Sequence, residues 1–164
     1  MNPVPPAAAS ASSEAPAEAF MRRALEAARR AGLAGEPPIG ACLVRGGVVL
    51  ASASNCVISE LDITAHAEMT VIRDACRRER TLELAGCELY VTVEPCPMCL
   101  AASHYAGISR IIHGATLEDL DTLTGGELLA GLRGSQPGGP LVEGSCLREE
   151  SLVLLKAWAH GRQG

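Results

Sequence analysis

Two cysteines three residues apart, in Pro95-Cys96-Pro97-Met98-Cys99, constrain this chain more than any other feature. Placed where a strand hands over to a helix, they bring both sulfurs to one side of a first turn and can grip a single ion. The exposed N–H groups and dipole at a helix start favour the thiolate, the form that binds metal. Pro97 costs nothing there, because the first amides of a helix have no partner within it. Thirty residues upstream, His66-Ala67-Glu68 offers an imidazole and, two positions on, a carboxylate. Three protein ligands leave a tetrahedral ion one position for water, the mark of a catalytic rather than a closed zinc site.

Two other uses of these residues stand beside that one. Cys-Pro-Met-Cys also fits a thiol–disulfide pair, though such a pair has no use for His66 and Glu68. A closed structural zinc could recruit Cys87, but closed sites usually carry a second Cys or His pair at short spacing, and His104, His113 and His160 are isolated. Glu68 alone would be an ordinary first-turn acid. Beside a bound ion it has another use, because hydrolysis of a ring amino group moves protons twice. Zinc makes hydroxide available at neutral pH, and Glu68 would then be the general acid and base, not a ligand.

The 164 residues suffice for one domain with a real core. Only Phe20, Tyr90, Tyr105 and Trp158 are aromatic, so Leu, Ile, Val and Ala must fill that core. The formal net charge of −5 argues against a broad basic face for nucleic acid. Seven cysteines, an odd number scattered through apolar runs, do not form a disulfide framework. Cys42, Cys87 and Cys146 fall in strand-like runs and Cys76 on a helix face, which reads as buried free thiols in a reducing, cytoplasmic setting. No apolar run approaches the ~20 residues of a membrane span.

Residues 1–15, rich in Pro, Ala and Ser, read as a disordered tail with neither a secretory nor a transit pattern. The domain is expected over 16–160. A helix over 16–30 has Phe20, Ala24, Leu25 and Ala28 on one face. A hairpin turns at Gly46-Gly47 between 39–44 and 48–54. A second helix over 65–79, capped by Asp62 or Thr64, turns Met69, Ile72 and Cys76 inward. A strand over 87–93, the helix over 95–105 and a strand over 109–113 follow. Then come a short helix over 122–132, a loop over 134–139, a strand over 141–147 and a closing helix over 148–160. This order predicts a three-layer α/β domain.

With His-x-Glu and Pro-Cys-x-x-Cys in this order, the chain resembles the cytidine-deaminase-like superfamily of zinc-dependent base deaminases. Within it, the guanine deaminase and tRNA adenosine deaminase branch is the nearest in pattern. Glu36-Pro37-Pro38-Ile39-Gly40-Ala41, Asn55, Thr64-Ala65-His66-Ala67-Glu68 and residues 90–99 carry the resemblance. It implies an α/β/α fold around a mixed five-stranded sheet, one zinc on His66, Cys96 and Cys99, and a homodimer. It also implies that Asn55 and the backbone at Ala67 touch the base, and that Asp119 is an acid at the purine. Cys-Pro-Met-Cys-Leu-Ala-Ala leans towards guanine deaminases, so hydrolysis of a free nucleobase is the expectation. A tRNA-specific adenosine deaminase, a deaminase of cytosine or another aminated heterocycle, and an inactive zinc-holding subunit are the alternatives.

Overall fold

The structure, a computed structural model, describes residues 16–125 and 141–161. The expected tail over 1–15, the loop over 134–139 and the far part of the helix expected over 122–132 lie outside the described residues.

Ten elements run in the order α1 (Pro16–Leu33), β1 (Gly40–Arg45), β2 (Val48–Ser54), α2 (Ala67–Glu79), β3 (Cys87–Val93), α3 (Pro97–Tyr105), β4 (Arg110–Ala115), α4 (Leu117–Thr124), β5 (Leu141–Glu143) and α5 (Arg148–Gly161). The strands form one sheet in the order β2-β1-β3-β4-β5. β1 pairs antiparallel with β2 and β3, while β4 runs parallel to β3 and β5 parallel to β4. The hairpin turns at Gly46 and Gly47, whose φ values of 55° and 79° suit the twist of a two-residue connection. Parallel β3 and β4 need a crossover, and α3 supplies it.

Alternation along the central strands divides the core between the two faces. Ala41 and Leu43 of β1 and Cys87, Leu89 and Val91 of β3 pack with Ala67, Val71, Ile72 and Ala75 of α2. On the other face, Cys42, Val44 and Tyr90 meet Met21, Ala24 and Leu25 of α1, with Leu154 of α5 at the margin. Three layers result, with the mixed five-stranded sheet in the middle. α1 lies so close to the sheet that a Cβ on Gly40 would sit 2.1 Å from the Ala24 carbonyl oxygen. Only glycine fits that crossing.

Four expectations are corrected. The buried face of α2 is Ala67, Val71, Ile72 and Ala75, with Met69 and Cys76 only half-buried, because the small alanines let the helix approach the sheet. Neither Asp62 nor Thr64 caps α2; the cap position is His66, while the Asp62 carboxylate accepts from the Thr64 amide at 2.8 Å. The helix expected over 122–132 starts instead at Leu117, where Thr116 and Asp119 form a capping box, and Gly125 ends it in the left-handed conformation. Cys146 follows the three-residue β5 rather than lying in a longer strand; it is half-buried against the α1 face. All seven cysteines are free.

Candidate metal centre and base pocket

The end of β2, the start of β1 and the end of β3 meet at one edge of the sheet, since Gly40 pairs with Ser54 and Ala41 with Val91. From that edge the connection after β2 leads to α2 and the connection after β3 leads to α3. His66 and Cys96 occupy the cap positions of these two helices, both in extended conformation, and neither spends its side chain on a capping hydrogen bond. Cys99 sits three residues further on, in the first turn of α3. Two positive helix ends therefore face one cluster, a setting that favours thiolates.

His66 Nδ1 lies 3.4 Å from Cys99 Sγ and 3.7 Å from Cys96 Sγ, and the two sulfurs are 3.7 Å apart. Zn–S bonds near 2.3 Å and Zn–N bonds near 2.0–2.1 Å, set tetrahedrally, put donor atoms roughly 3.6–3.8 Å apart. The donor triangle fits that ion. Its titration behaviour fits too. The neighbouring Cys99 thiol, with His66, draws the Cys96 thiol down to about 4 against the opposing effect of burial. The Cys96 thiolate and burial push Cys99 up in turn, so without a cation the second sulfur stays protonated. A divalent ion removes that conflict, because coordination deprotonates a thiol outright.

Among the described residues this is the one group of three or more His, Cys, Asp or Glu side chains with converging donor atoms. Cys87 is buried in the core beneath α2, so the closed-site alternative is not what the fold builds. The redox alternative leaves His66 unexplained, whereas the ion explains all three side chains.

Glu68, in the first turn of α2, is 3 % exposed, and its Oε2 has no hydrogen-bond partner. Burial pushes its carboxyl up to about 7, with His66 pulling the other way and Cys96 adding to the rise. A buried acid oxygen with nothing to bond is costly unless something arrives to use it. Ala67 is fully buried beside it.

Asn55, 4 % exposed, directly follows β2. Its backbone N–H donates to the Ile39 carbonyl at 2.9 Å, and its Oδ1 accepts from the Val57 amide at 3.1 Å. The side-chain oxygen is thus engaged within the loop that follows β2. Asp119 is employed otherwise than expected. Its Oδ2 accepts from the Thr116 amide and hydroxyl at 2.9 and 2.7 Å, and its Oδ1 pairs with Arg148. Both oxygens brace α4 and α5 rather than standing free for a purine. Glu36, to which the sequence assigns no role beyond its place in the stretch that carries the resemblance, is 4 % exposed and accepts from two backbone amides. The signal that could have found it is an acid placed just ahead of a strand among prolines.

A family profile described as the cytidine and deoxycytidylate deaminase zinc-binding region matches residues 14–115. The tRNA-specific adenosine deaminase of Aquifex aeolicus strain VF5 is 48% identical over 98 residues, 60% of this chain and 65% of that protein. The guanine deaminase of Bacillus subtilis strain 168 is 40% identical over 105 residues, 62% of this chain and 66% of that protein. A chain solved in work on A-to-I editing by tRNA:A34 deaminases superposes with a TM-score of 0.71 at 42% identity, over 83% of this chain and 98% of that one. The match with the Aquifex relative spans just under two thirds of that protein's length. The higher identities lie with the tRNA enzymes, which reverses the lean towards guanine deaminases drawn from Cys-Pro-Met-Cys-Leu-Ala-Ala. With the profile covering most of its length and the zinc-fitting triad in place, this chain belongs to the cytidine and deoxycytidylate deaminase family.

Proposed function

We propose that this protein is a zinc-dependent hydrolytic deaminase that converts adenosine to inosine in tRNA. The observation that carries the chemistry is the buried, unpartnered Glu68 Oε2 beside the His66, Cys96 and Cys99 triangle. The choice of tRNA over a free base is supported by 48% identity to a tRNA-specific adenosine deaminase against 40% to a guanine deaminase.

His66, Cys96 and Cys99 would hold the zinc, which when bound lowers the pKa of water to about 7 and so supplies hydroxide near neutral pH. Glu68 takes up the proton that water loses and delivers it to N1 of the purine. As the oxygen of that water bonds to C6, Glu68 moves the proton still on this oxygen to the amino group; the C6–N bond then breaks, ammonia leaves and a carbonyl stays on C6. Burial raises the Glu68 carboxyl in the metal-free site, and a carboxyl that can both take and give a proton suits the two transfers. Asn55 Nδ2 donates to an acceptor on the base, and the Ala67 amide, one of the helix-start donors, does the same. Asp119 takes no part in the chemistry. The homodimer implied by the resemblance is part of the proposal, and sedimentation tests it.

The zinc-loaded protein should be given an adenosine-bearing anticodon stem-loop, free guanine and cytosine, with ammonia and inosine measured at about 50 and 200 mM salt. Inosine in the RNA, formed more slowly at the higher salt as phosphate contacts weaken, is the expected result. Guanine turnover indifferent to salt, with no inosine, would move the assignment to a free base. No ammonia from any of the three would leave the inactive subunit.

Among the described residues no helix is long and apolar enough to cross a membrane.

A further inference from the structure

We propose that Glu36 is a positioning residue: it aims the Asn55 side chain by clamping the loop that follows it. The inference rests on the reading of Asn55 as a contact to the base.

Glu36 lies in the connection between α1 and β1. Burial pushes its carboxyl up, but the Ile58 and Ser59 backbone donors outweigh that and hold it below its ordinary value. Its Oε2 accepts from the Ile58 amide at 3.0 Å and its Oε1 from the Ser59 amide at 2.7 Å. Both oxygens of a buried carboxylate are therefore spent on one stretch of loop backbone.

That loop has little else to hold it. Ile58, Leu61 and Ile63 are 57%, 92% and 81% exposed, so apolar burial does not fix its course. Its backbone bonds are internal or close onto Ala65: Glu60 to Cys56, Asp62 to Val57, and Cys56 to Ala65. Apart from a 4.0 Å contact between Cys56 Sγ and Thr70, Glu36 is the only side chain outside residues 55–65 that hydrogen-bonds the loop, among the described residues.

The clamp reaches Asn55 from both directions. The Asn55 amide donates to Ile39, three residues after Glu36, at 2.9 Å. Asn55 Oδ1 accepts from Val57, the neighbour of Ile58, at 3.1 Å. Glu36, Ile58, Val57, Asn55 and Ile39 thus close a ring of hydrogen bonds and chain that engages the amide and Oδ1 of the asparagine and leaves its side-chain Nδ2 outside. His66, Cys96 and Cys99 stand outside this ring. Losing Glu36 releases the Val57–Ile58 turn, and with it the direction in which Asn55 points, without removing a metal donor.

Glu36→Gln keeps the volume but sets an amide N–H against one of the two backbone donors. Amide exchange over residues 55–65, zinc per chain, and kcat and KM on the stem-loop are measured, alone and in an Asn55→Ala background. Exchange at Ile58 and Ser59 should quicken by roughly tenfold or more. Zinc content should hold, and kcat/KM should fall by roughly tenfold, mostly through KM. In the Asn55→Ala background the further loss should be under about twofold, because residues acting through one another do not add. Unchanged exchange, loss of zinc in step with activity, or a loss that multiplies in full on Asn55→Ala would overturn the proposal. So would a loss in Glu36→Gln when Asn55→Ala alone has no effect. Should the wild type deaminate neither RNA nor guanine, the proposed function falls, and the exchange data alone decide the clamp. If Glu36→Gln does not fold, Ser59→Pro deletes one of the same hydrogen bonds from the exposed loop and is read by exchange at Ile58, zinc content and kinetics alone.

Discussion

Replacing Glu68 with Gln separates what this carboxylate does for chemistry from what it does to the fold. The side chain is 3 % exposed and its Oε2 lacks a partner, so a glutamine of the same shape fits but cannot relay a proton. General acid–base catalysis is worth ~10²–10⁴-fold, or about 3–5 kcal/mol of barrier. One group serves every transfer here, which places the loss at the upper end. Stability should move the opposite way. Burial raises the folded-state pKa from 4.5 to about 7, so between these values the folded protein binds more protons than the unfolded chain. Stability is then complete below the unfolded value and is lost as pH rises through about 7. At 1.36 kcal/mol per unit the deficit above that is on the order of 3 kcal/mol. Metal-stripped Glu68→Gln should therefore be the more stable protein at about pH 8, converging with the wild type near pH 4.5, the ordinary value of the acid. Urea unfolding across that range, with zinc content and ammonia release on the loaded pair, gives all the quantities. A variant with more than about a tenth of wild-type turnover, or a stability gap that does not widen with pH, would refute the reasoning.

Three further outcomes follow from the same geometry. Cys99→Ser should drop bound zinc well below one equivalent per chain by elemental analysis, since the serine hydroxyl is a poor replacement for a thiolate in this triangle; full occupancy would remove Cys99 from the ligand set. Gly40→Ala puts a Cβ 2.1 Å from the Ala24 carbonyl oxygen and 2.5 Å from the Ala28 nitrogen, both backbone, and should cost about 3 kcal/mol or more in urea unfolding. Asp119→Ala should cost about 1–2 kcal/mol through the lost capping box while leaving inosine formation within about twofold. Burial pushes the Asp119 carboxyl up, but Thr116 and Arg148 more than offset this, so its contribution is complete above 3.8 and should fade as pH drops below that value.

The metal centre was legible because its chemistry is carried by two short segments. His66-Ala67-Glu68 and Cys96-Pro97-Met98-Cys99 each sit at a helix start, and local rules about helix starts, thiolates and tetrahedral ions suffice to read them. β3 was equally legible, from Cys87 to Val93, because the apolar Cys87, Leu89, Val91 and Val93 recur at every second position, although Tyr90 and Thr92 on the other face are buried too. Thr116-Leu117-Glu118-Asp119 carried its own helix signal, a capping box, which a cluster of acids obscured.

By itself the sequence determined which side chains could share an ion, which acid stands beside them, and the alternation of helices and strands that brings them together. Tertiary structure alone decided the distances of 3.4–3.7 Å within the triangle, the burial that raises Glu68, and the commitment of Asp119 to Thr116 and Arg148. It alone joined Glu36 to Ile58 and Ser59, residues 22 and 23 positions away. The reason is physical: a motif or a periodicity expresses contacts between near neighbours in the chain. Burial and long-range hydrogen bonds exist only once the sheet has brought β1, β2 and β3 to a common edge.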